Sequence, residues 1–149
     1  MKYIVIVSLF VLSTLTAGFA ADPPAETTPA TPAAVANAVP VVVPIDKDGV
    51  QRVDILGSDY FFKPARIVVK VNVPVELNVR KDGYVIPHNI IIEAPAAGIT
   101  VNETLARNPK AIRFTPTMVG RYPMYCDKKP PFLPSHREKG MEGMLEVVE

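Results

Sequence analysis

The sequence predicts an all-β protein, built as a sandwich of about seven to eight short strands. From Ile45 onward, short runs rich in Val and Ile alternate with turn residues, which is the pattern of strands in a sandwich. Residues 45–149 are enough for two packed sheets around one core without disulfides. The chain is 48% apolar and 21% charged, which is typical of a folded, soluble domain.

The predicted strands follow one another along the chain, each bounded by turn residues. They cover residues 51–56, 66–71, 75–80, 88–93, 110–114, 122–126 and 144–148. The valines at 41–43 are a candidate strand edge, and an aromatic turn is expected at 60–64. Residues 95–108 lack alternation, so we interpret them as a long connection with a helical turn near 102–107.

The first twenty residues have the pattern of a secretory signal peptide. Lys2 supplies the positive start, an apolar run follows, and Gly18 and Ala20 are small residues at the positions that a signal peptidase reads. Cleavage is therefore expected after Ala20, with an uncleaved membrane anchor as the alternative. Because the run is short for a span of about 20 residues, we predict export to the periplasm and no stable membrane insertion after cleavage.

Residues 21–44 read as an Ala-, Pro- and Thr-rich linker before the domain at 45–149. This composition favours a disordered or polyproline-type spacer, and a degenerate leader is the alternative. Removal of residues 1–20 takes away Lys2 and no acidic residue, which leaves 15 basic and 15 acidic side chains. A mature chain without net positive charge indicates no nucleic-acid partner.

The chain has one cysteine, Cys126, and two histidines, His88 and His136, and Met141 follows shortly after the second histidine. One thiolate, two imidazoles and one thioether are the ligands of a mononuclear type 1 copper site. A single thiol in an exported protein forms no internal disulfide, and metal binding would protect it. Because three of these residues lie between the last two predicted strands, we expect the site at one end of the sandwich.

Three segments resemble the cupredoxins, the family of plastocyanin and azurin. IPHNIII resembles the Pro-His-Asn segment of plastocyanins, HREKGMEG is similar to their histidine-to-methionine segment, and DYFFKPARIVVKVNVPVEL is similar to their opening strands. The resemblance covers about the last 100 residues, the usual size of one domain. It implies a Greek-key β-sandwich with His88, Cys126 and His136 as equatorial copper ligands, Met141 as the weak axial ligand, and Asn89 linking the ligand loops by hydrogen bonds.

The predicted ligand loop departs from the plastocyanin pattern. Nine residues separate the cysteine from the second histidine, where plastocyanins have two, so the site is expected to be blue or green. The insert contains the apolar segment PPFLP, from Pro130 to Pro134, just before a histidine that reaches the surface in cupredoxins. We expect redox protein partners to dock near His136 and this segment; the alternative is that its Phe and Leu pack onto the sandwich.

Other interpretations of these residues fit less well. A zinc site prefers three or four strong nitrogen, sulfur or oxygen ligands, a binuclear copper centre needs a second cysteine, and a copper oxidase or nitrite reductase needs more histidines. Met144 is the rival axial ligand, but it begins the alternation of the last strand, where core packing explains it. Met118 and Met124 are assigned to the core. Taken singly, the cysteine and histidines would fit ordinary buried positions.

These observations together predict a small exported copper protein that holds one Cu(I)/Cu(II) ion and carries one electron at a time. All four ligand positions are filled, so no position is open for a substrate and we expect no enzymatic activity. The chain is expected to be a monomer that meets redox partners. The alternative is a periplasmic copper-binding protein for copper tolerance or homeostasis, which the long ligand loop suggests.

Overall fold

A computed structural model describes residues 33–149; the predicted signal peptide and residues 21–32 of the linker lie outside the described residues. This part of the chain is almost entirely β. Its elements are α1 (Ala33–Ala36), β1 (Val41–Val42), β2 (Gln51–Ser58), β3 (Phe61–Lys63), β4 (Arg66–Lys70), β5 (Val75–Lys81), β6 (Asn89–Ala94), a 3-10 turn (Pro95–Ala97), β7 (Ile99–Thr104), β8 (Lys110–Phe114), β9 (Gly120–Tyr125) and β10 (Glu142–Val148). The all-β prediction is confirmed, with ten strands in place of seven to eight.

The strands form two sheets packed face to face. One sheet has six strands in the order β1-β4-β10-β9-β6-β7, and the other has four in the order β3-β2-β5-β8. The chain crosses between the sheets after β1, β3, β4, β5, β7 and β8, which is the long-range connectivity of a Greek-key sandwich. As a result β4 pairs in parallel with β10, and β2 pairs in parallel with β5. The predicted sandwich is confirmed.

Apolar side chains at every second strand position fill the space between the sheets. Burying each such aliphatic side chain contributes about 1.5–3 kcal/mol. The residues that show this alternation most clearly are Val53 and Ile55 of β2, Ile67 and Val69 of β4, Val75, Leu77 and Val79 of β5, and Leu145 and Val147 of β10. Most of them are valine or isoleucine, whose β-branched side chains suit the pleated surface and explain why the strand pattern was visible in the sequence.

Residues 95–108 do not form the predicted long connection. They contain β7, Ile99–Thr104, which pairs antiparallel with β6 along its whole length, and the helical turn expected near 102–107 is absent from this stretch. Ile99 and Val101 face the core, whereas Thr100, Asn102 and Thr104 occupy the other face. Because β7 is an edge strand with a fully polar outer face, it has only two strongly apolar residues and its alternation was weak.

Met118 is also placed differently from the prediction. Its side chain is half exposed, whereas Met124 is fully buried in the core as expected. Met118 lies in the turn before β9, and its carbonyl accepts a hydrogen bond from the Tyr122 hydroxyl. The turn therefore directs the Met118 side chain toward solvent, which a pattern of apolar residues does not reveal.

The six-stranded sheet begins upstream of Ile45. Val41 and Val42 form β1, which pairs in parallel with β4, and the amide of Val43 donates to the carbonyl of Val68. Val35 of α1 is buried against the outside of the same sheet. The sheet thus includes residues that composition had assigned to the linker. Among the described residues, no helix has the length and apolar character needed to cross a membrane.

Candidate metal centre

Three buried side chains meet at one end of the sandwich: His88, Cys126 and His136. Their candidate ligand atoms all lie within 4.8 Å of one another. The two imidazole Nδ1 atoms are 3.1 Å apart, and the Nδ1 atom of His136 is 3.4 Å from the Sγ atom of Cys126. The structure therefore brings together the three residues predicted as equatorial ligands, around a point that one metal ion can occupy.

Strand ends and backbone hydrogen bonds hold these residues in place. His88 directly precedes β6, and its carbonyl accepts a hydrogen bond of 2.9 Å from the amide of Leu105, just after β7. Cys126 directly follows β9, and its amide donates to the carbonyl of Met141 at 3.2 Å. His136 lies in the loop between β9 and β10, where its amide donates to the carbonyl of Lys128 at 2.8 Å. Backbone hydrogen bonds thus fix the positions of all three residues of the cluster.

Asn89 connects the segment of the first histidine with that of the cysteine. Its amide N–H donates to the Cys126 sulfur at 3.4 Å. Its side chain makes two hydrogen bonds with Asp127: Nδ2 donates to the carboxylate at 2.9 Å, and Oδ1 accepts from the backbone amide at 3.1 Å. This is the link between ligand loops that the cupredoxin resemblance implied. A hydrogen bond to sulfur favours the thiolate form that binds a metal.

Met141 and Met144 lie in different environments. Met141 is fully buried, and its amide donates to the carbonyl of His136 at 2.9 Å, so it belongs to the same loop as the cluster. Met144 lies on the outer side of β10, where it lines a surface pocket together with Val35 of α1. The environment of Met144 therefore differs from that of the cluster. Coordination by the Met141 sulfur stays a prediction.

Gly57 near the end of β2 was not identified from the sequence. A Cβ atom at this position would lie 2.5 Å from the Leu105 Cδ1 atom and 3.2 Å from the Met141 Cε atom. A larger residue would therefore overlap Leu105 and crowd the methionine. Nothing in the local sequence marks this glycine, since the contact forms only when the two sheets pack.

Solved structures with a similar fold are copper-binding domains. The metal-binding domain of the Cu(I)-exporting P-type ATPase of Streptococcus pneumoniae has a TM-score of 0.57 at 23% identity, over 75% of this chain and 98% of that domain. An apo copper-binding protein gives 0.52 at 21% identity, over 74% and 99%. Auracyanin A, a "blue" copper protein from Chloroflexus aurantiacus, gives 0.50 at 19% identity, over 67% and 100%. This chain has the cupredoxin fold.

No protein-family model and no curated protein matches the sequence. The fold assignment therefore depends on the structure, and the chemistry of the site depends on the residues themselves. The donor set fits copper, because a thiolate suits Cu(I) and an imidazole suits Cu(II) as well. The cupredoxin domain thus has a buried His-Cys-His cluster suited to one copper ion.

Burial changes the proton affinity of all three side chains of the cluster. It lowers the pKa of His88 to about 4, with further contributions from His136 and Lys81. The pKa of His136 is also lowered, by burial first and then by nearby lysines, whereas burial raises the pKa of the Cys126 thiol. The imidazoles are therefore held in the neutral, metal-binding form, and a bound cation would release the thiol proton.

The expectation that His136 reaches the surface is wrong. Its exposed fraction is 1%, because the ring of Tyr60 packs against it with the ring centroids 4.9 Å apart and the planes at 77°. Lys139 covers Tyr60 in turn, with its Nζ atom 4.3 Å from the ring centroid. The sequence indicated an aromatic turn at this place but not its contact with a ligand residue.

Two apolar segments near the cluster are exposed. Phe132 is fully exposed and Leu133 is half exposed, so the alternative that PPFLP packs onto the sandwich is wrong. A second segment, Tyr84 to Ile86, precedes His88 and lines an open cleft of about 310 Å³ together with it.

Proposed function

We propose that this protein is an exported one-electron carrier with a mononuclear type 1 copper site. The observation that carries the proposal is the buried cluster of His88, Cys126 and His136, with its candidate ligand atoms within 4.8 Å of one another. Bound copper would supply a reversible Cu(II)/Cu(I) couple. The chain's own residues hold the donor atoms in place and exclude water, so the ligands need little rearrangement when the charge changes.

In this proposal Met141 is the axial ligand. Its burial supports the assignment, as do its two backbone hydrogen bonds, to the carbonyl of His136 and from the amide of Cys126. The small residue Gly57 leaves room for its methyl group. A weak thioether ligand of this kind tunes the reduction potential. With all four positions filled, no position is left for a substrate, and the protein acts as a carrier without catalytic activity of its own.

Partner docking is proposed at the exposed apolar segment PPFLP. Phe132 projects fully into solvent in this segment, and three prolines restrict its backbone. Exposed apolar groups of this kind mark contact sites. Because the imidazole of His136 is covered, the electron would pass through a layer of protein side chains to reach a partner at this surface. Export to the periplasm completes the proposal, and it depends on the signal-peptide pattern.

A second candidate function is copper holding for tolerance or homeostasis. The burial of both imidazoles favours it, since a closed site retains its metal but slows electron exchange. The two functions differ in rate: a carrier exchanges electrons quickly between its oxidised and reduced forms. Slow self-exchange, measured by NMR on mixtures of the two forms, together with copper sensitivity of a deletion strain, would favour the holding function.

The test of the copper site is the visible and EPR spectrum of the mature protein with one equivalent of Cu(II). We expect an intense thiolate-to-copper band that is absent in Cys126→Ser, and reversible reduction in a spectroelectrochemical cell. The ratio of the blue to the violet component would distinguish a blue from a green site. A colourless protein, a spectrum unchanged in the variant, or irreversible reduction would contradict the proposal.

A further inference from the structure

The hairpin between β2 and β3 has an unusual residue in its turn. Ser58 pairs with Phe61, so Asp59 and Tyr60 form a two-residue loop, and both have positive φ angles, 34° and 65°. Positive φ at both central positions defines a type I′ turn, whose second position is normally glycine. A side chain at that position carries a steric cost. The turn geometry therefore gives no reason for a tyrosine here.

The contacts of Tyr60 supply the reason. Its ring packs edge-to-face against both histidines of the cluster, at centroid distances of 4.9 Å to His136 and 6.4 Å to His88. These two histidines are almost completely buried, whereas Tyr60 itself is partly exposed and packs against the core. Tyr60 is thus positioned on the exposed side of His136, whereas His88 also borders the open cleft beside Tyr84. Strained residues persist where the surrounding structure uses the side chain they present.

Lys139 holds the ring from the other side. Its Nζ atom donates a hydrogen bond of 3.2 Å to the Tyr60 hydroxyl and lies 4.3 Å from the ring centroid. Lys139 belongs to the ligand loop, where its amide donates to the carbonyls of Ser135 and His136. The hairpin and the ligand loop are therefore connected through Tyr60, so the loop cannot move away from the cluster without breaking this contact.

We propose that Tyr60 is a positioning residue that fixes the two imidazoles and closes the route past His136 by which metal and chelators enter or leave the site. The proposal rests on the proposed copper site. Release of a bound ion past His136 would require this imidazole to move away from Cys126, and the Tyr60 ring packs against the same imidazole. The left-handed turn presents the ring there, and Lys139 keeps it in place.

The experiment measures how fast Cu(I) leaves the reduced, copper-loaded protein when excess bathocuproine disulfonate is added. Tyr60→Gly removes the ring and places the preferred residue in the turn, while Tyr60→Phe keeps the ring and removes only the hydroxyl. We expect release from the glycine variant to be faster by about tenfold, the scale on which residues behind the ligands affect metal binding. The phenylalanine variant should release copper at a rate close to that of the unchanged protein.

Two control variants separate positioning from general loosening of the fold. Val101→Ala opens a cavity in the core on β7, so its release rate shows the effect of lost stability alone. Tyr84→Ala removes an exposed aromatic ring beside the His88 cleft. Both should release copper at the unchanged rate. In the apoprotein, NMR of the imidazole rings should show broadened His136 signals in the glycine variant only.

The outcomes separate this inference from the proposed function. If the unchanged protein binds no copper, the proposed function fails first. If it binds copper but the glycine variant releases it at the unchanged rate, or no faster than Val101→Ala, the role of Tyr60 is wrong while the copper site stands. Faster release with unaltered imidazole signals would also overturn positioning, because the ring would then act only as a cover.

Discussion

The side chain of Asn89 links the segment that holds His88 with the segment that holds Cys126. It directly follows His88, and both polar atoms of its amide bond Asp127, which directly follows Cys126. The same residue donates its backbone N–H to the sulfur. This buried amide therefore supplements the pairing of β6 with β9 in fixing the distance between the two strand ends, so Asn89 is a place to perturb the site without replacing a predicted ligand.

Replacing Asn89 by alanine should weaken both the fold and the site. The change removes two hydrogen bonds made by a buried amide, so we expect the free energy of unfolding to fall by about 1–3 kcal/mol. Copper affinity should fall about tenfold. Urea unfolding of the apoprotein and competition with a Cu(I) chelator measure the two effects. Asn102→Ala, on the exposed side of β7, is the control and should change neither quantity.

The three residues of the cluster were predictable from the sequence, whereas Tyr60 and Gly57 were not. A lone cysteine, two histidines and a methionine near the C-terminus reveal a ligand set by chemical type alone. Tyr60 and Gly57 contact this set only after β2 packs against the other sheet, and their types do not distinguish them from other turn or strand residues. Their roles depend on tertiary contacts that no local pattern contains.

At the scale of elements, the last residues of β2 form the floor of the site. Gly57 faces the side chains of Leu105, Met141 and Phe62, so this strand and the loop after β9 pack without any intervening side chain. The strand then turns directly into the hairpin that presents Tyr60. The segment from β2 through its hairpin turn therefore packs against the candidate centre at two places, through Gly57 and through Tyr60.

Replacing Gly57 by alanine should push Met141 away from the cluster. The new methyl group would overlap the Leu105 side chain, and such overpacking costs about 1–3 kcal/mol. We expect lower thermal stability and an altered ratio of blue to violet absorption in the copper-loaded variant. Val53→Ala, on the same strand but distant from the site, should lose stability with no change in that ratio. An unaltered spectrum in Gly57→Ala would argue against Met141 as the axial ligand.

Gln51 at the other end of β2 connects the two sheets through its side chain. This amide is fully buried; its oxygen accepts from the amide of Lys70 at 2.7 Å, and its nitrogen faces the carbonyls of Lys70 and Val73 at 3.3 and 3.4 Å. Gln51→Leu should lower the free energy of unfolding by about 1–3 kcal/mol, because backbone groups lose their partners. Urea titration of the apoprotein measures this loss of stability. The visible absorption spectrum of the folded, copper-loaded variant should stay unchanged.

Strand prediction succeeded where both faces or the core face are strongly apolar, as in β2 and β5. It failed for β7, whose outer face has only polar residues. It also left β1 open, because two residues are too few for a periodic pattern and parallel pairing with β4 is a long-range contact. Strands with enough apolar residues of their own can therefore be predicted from the sequence. Strands whose formation depends on pairing with a neighbouring strand cannot.

Across the whole molecule, charged side chains form a network on the outside of the four-stranded sheet. Glu76 forms salt bridges with Arg113 at 2.7 Å and with Arg52 at 3.4 Å. Arg52 also forms salt bridges with Asp46 and Asp48 in the turn before β2. The hydrogen bond from Arg113 lowers the pKa of Glu76 below its usual 4.5. This network lies on the sheet exterior and shares no residue with the metal cluster. Protonation of Glu76 should therefore change the free energy of unfolding without changing the cluster.

The pH dependence of stability follows from that lowered pKa. The folded protein binds fewer protons at Glu76 than the unfolded chain, so the stabilising contribution is present above pH 4.5 and is lost as the pH falls through the lower folded value. Glu76→Gln should therefore be less stable than the unchanged protein at about pH 7, and the difference should shrink toward about pH 3. Urea unfolding across this range measures it. A constant difference would contradict the prediction, and added salt should reduce it because Arg113 is exposed.

The loop from Cys126 to Met141 closes on itself at its base. The amide of Cys126 donates to the carbonyl of Met141, and the ladder between β9 and β10 resumes immediately with Tyr125 opposite Glu142. Residues added or removed inside this closure leave the strand register unchanged. A change in the length or composition of this loop can therefore alter the surroundings of the candidate metal centre while the sandwich keeps its strand pairing.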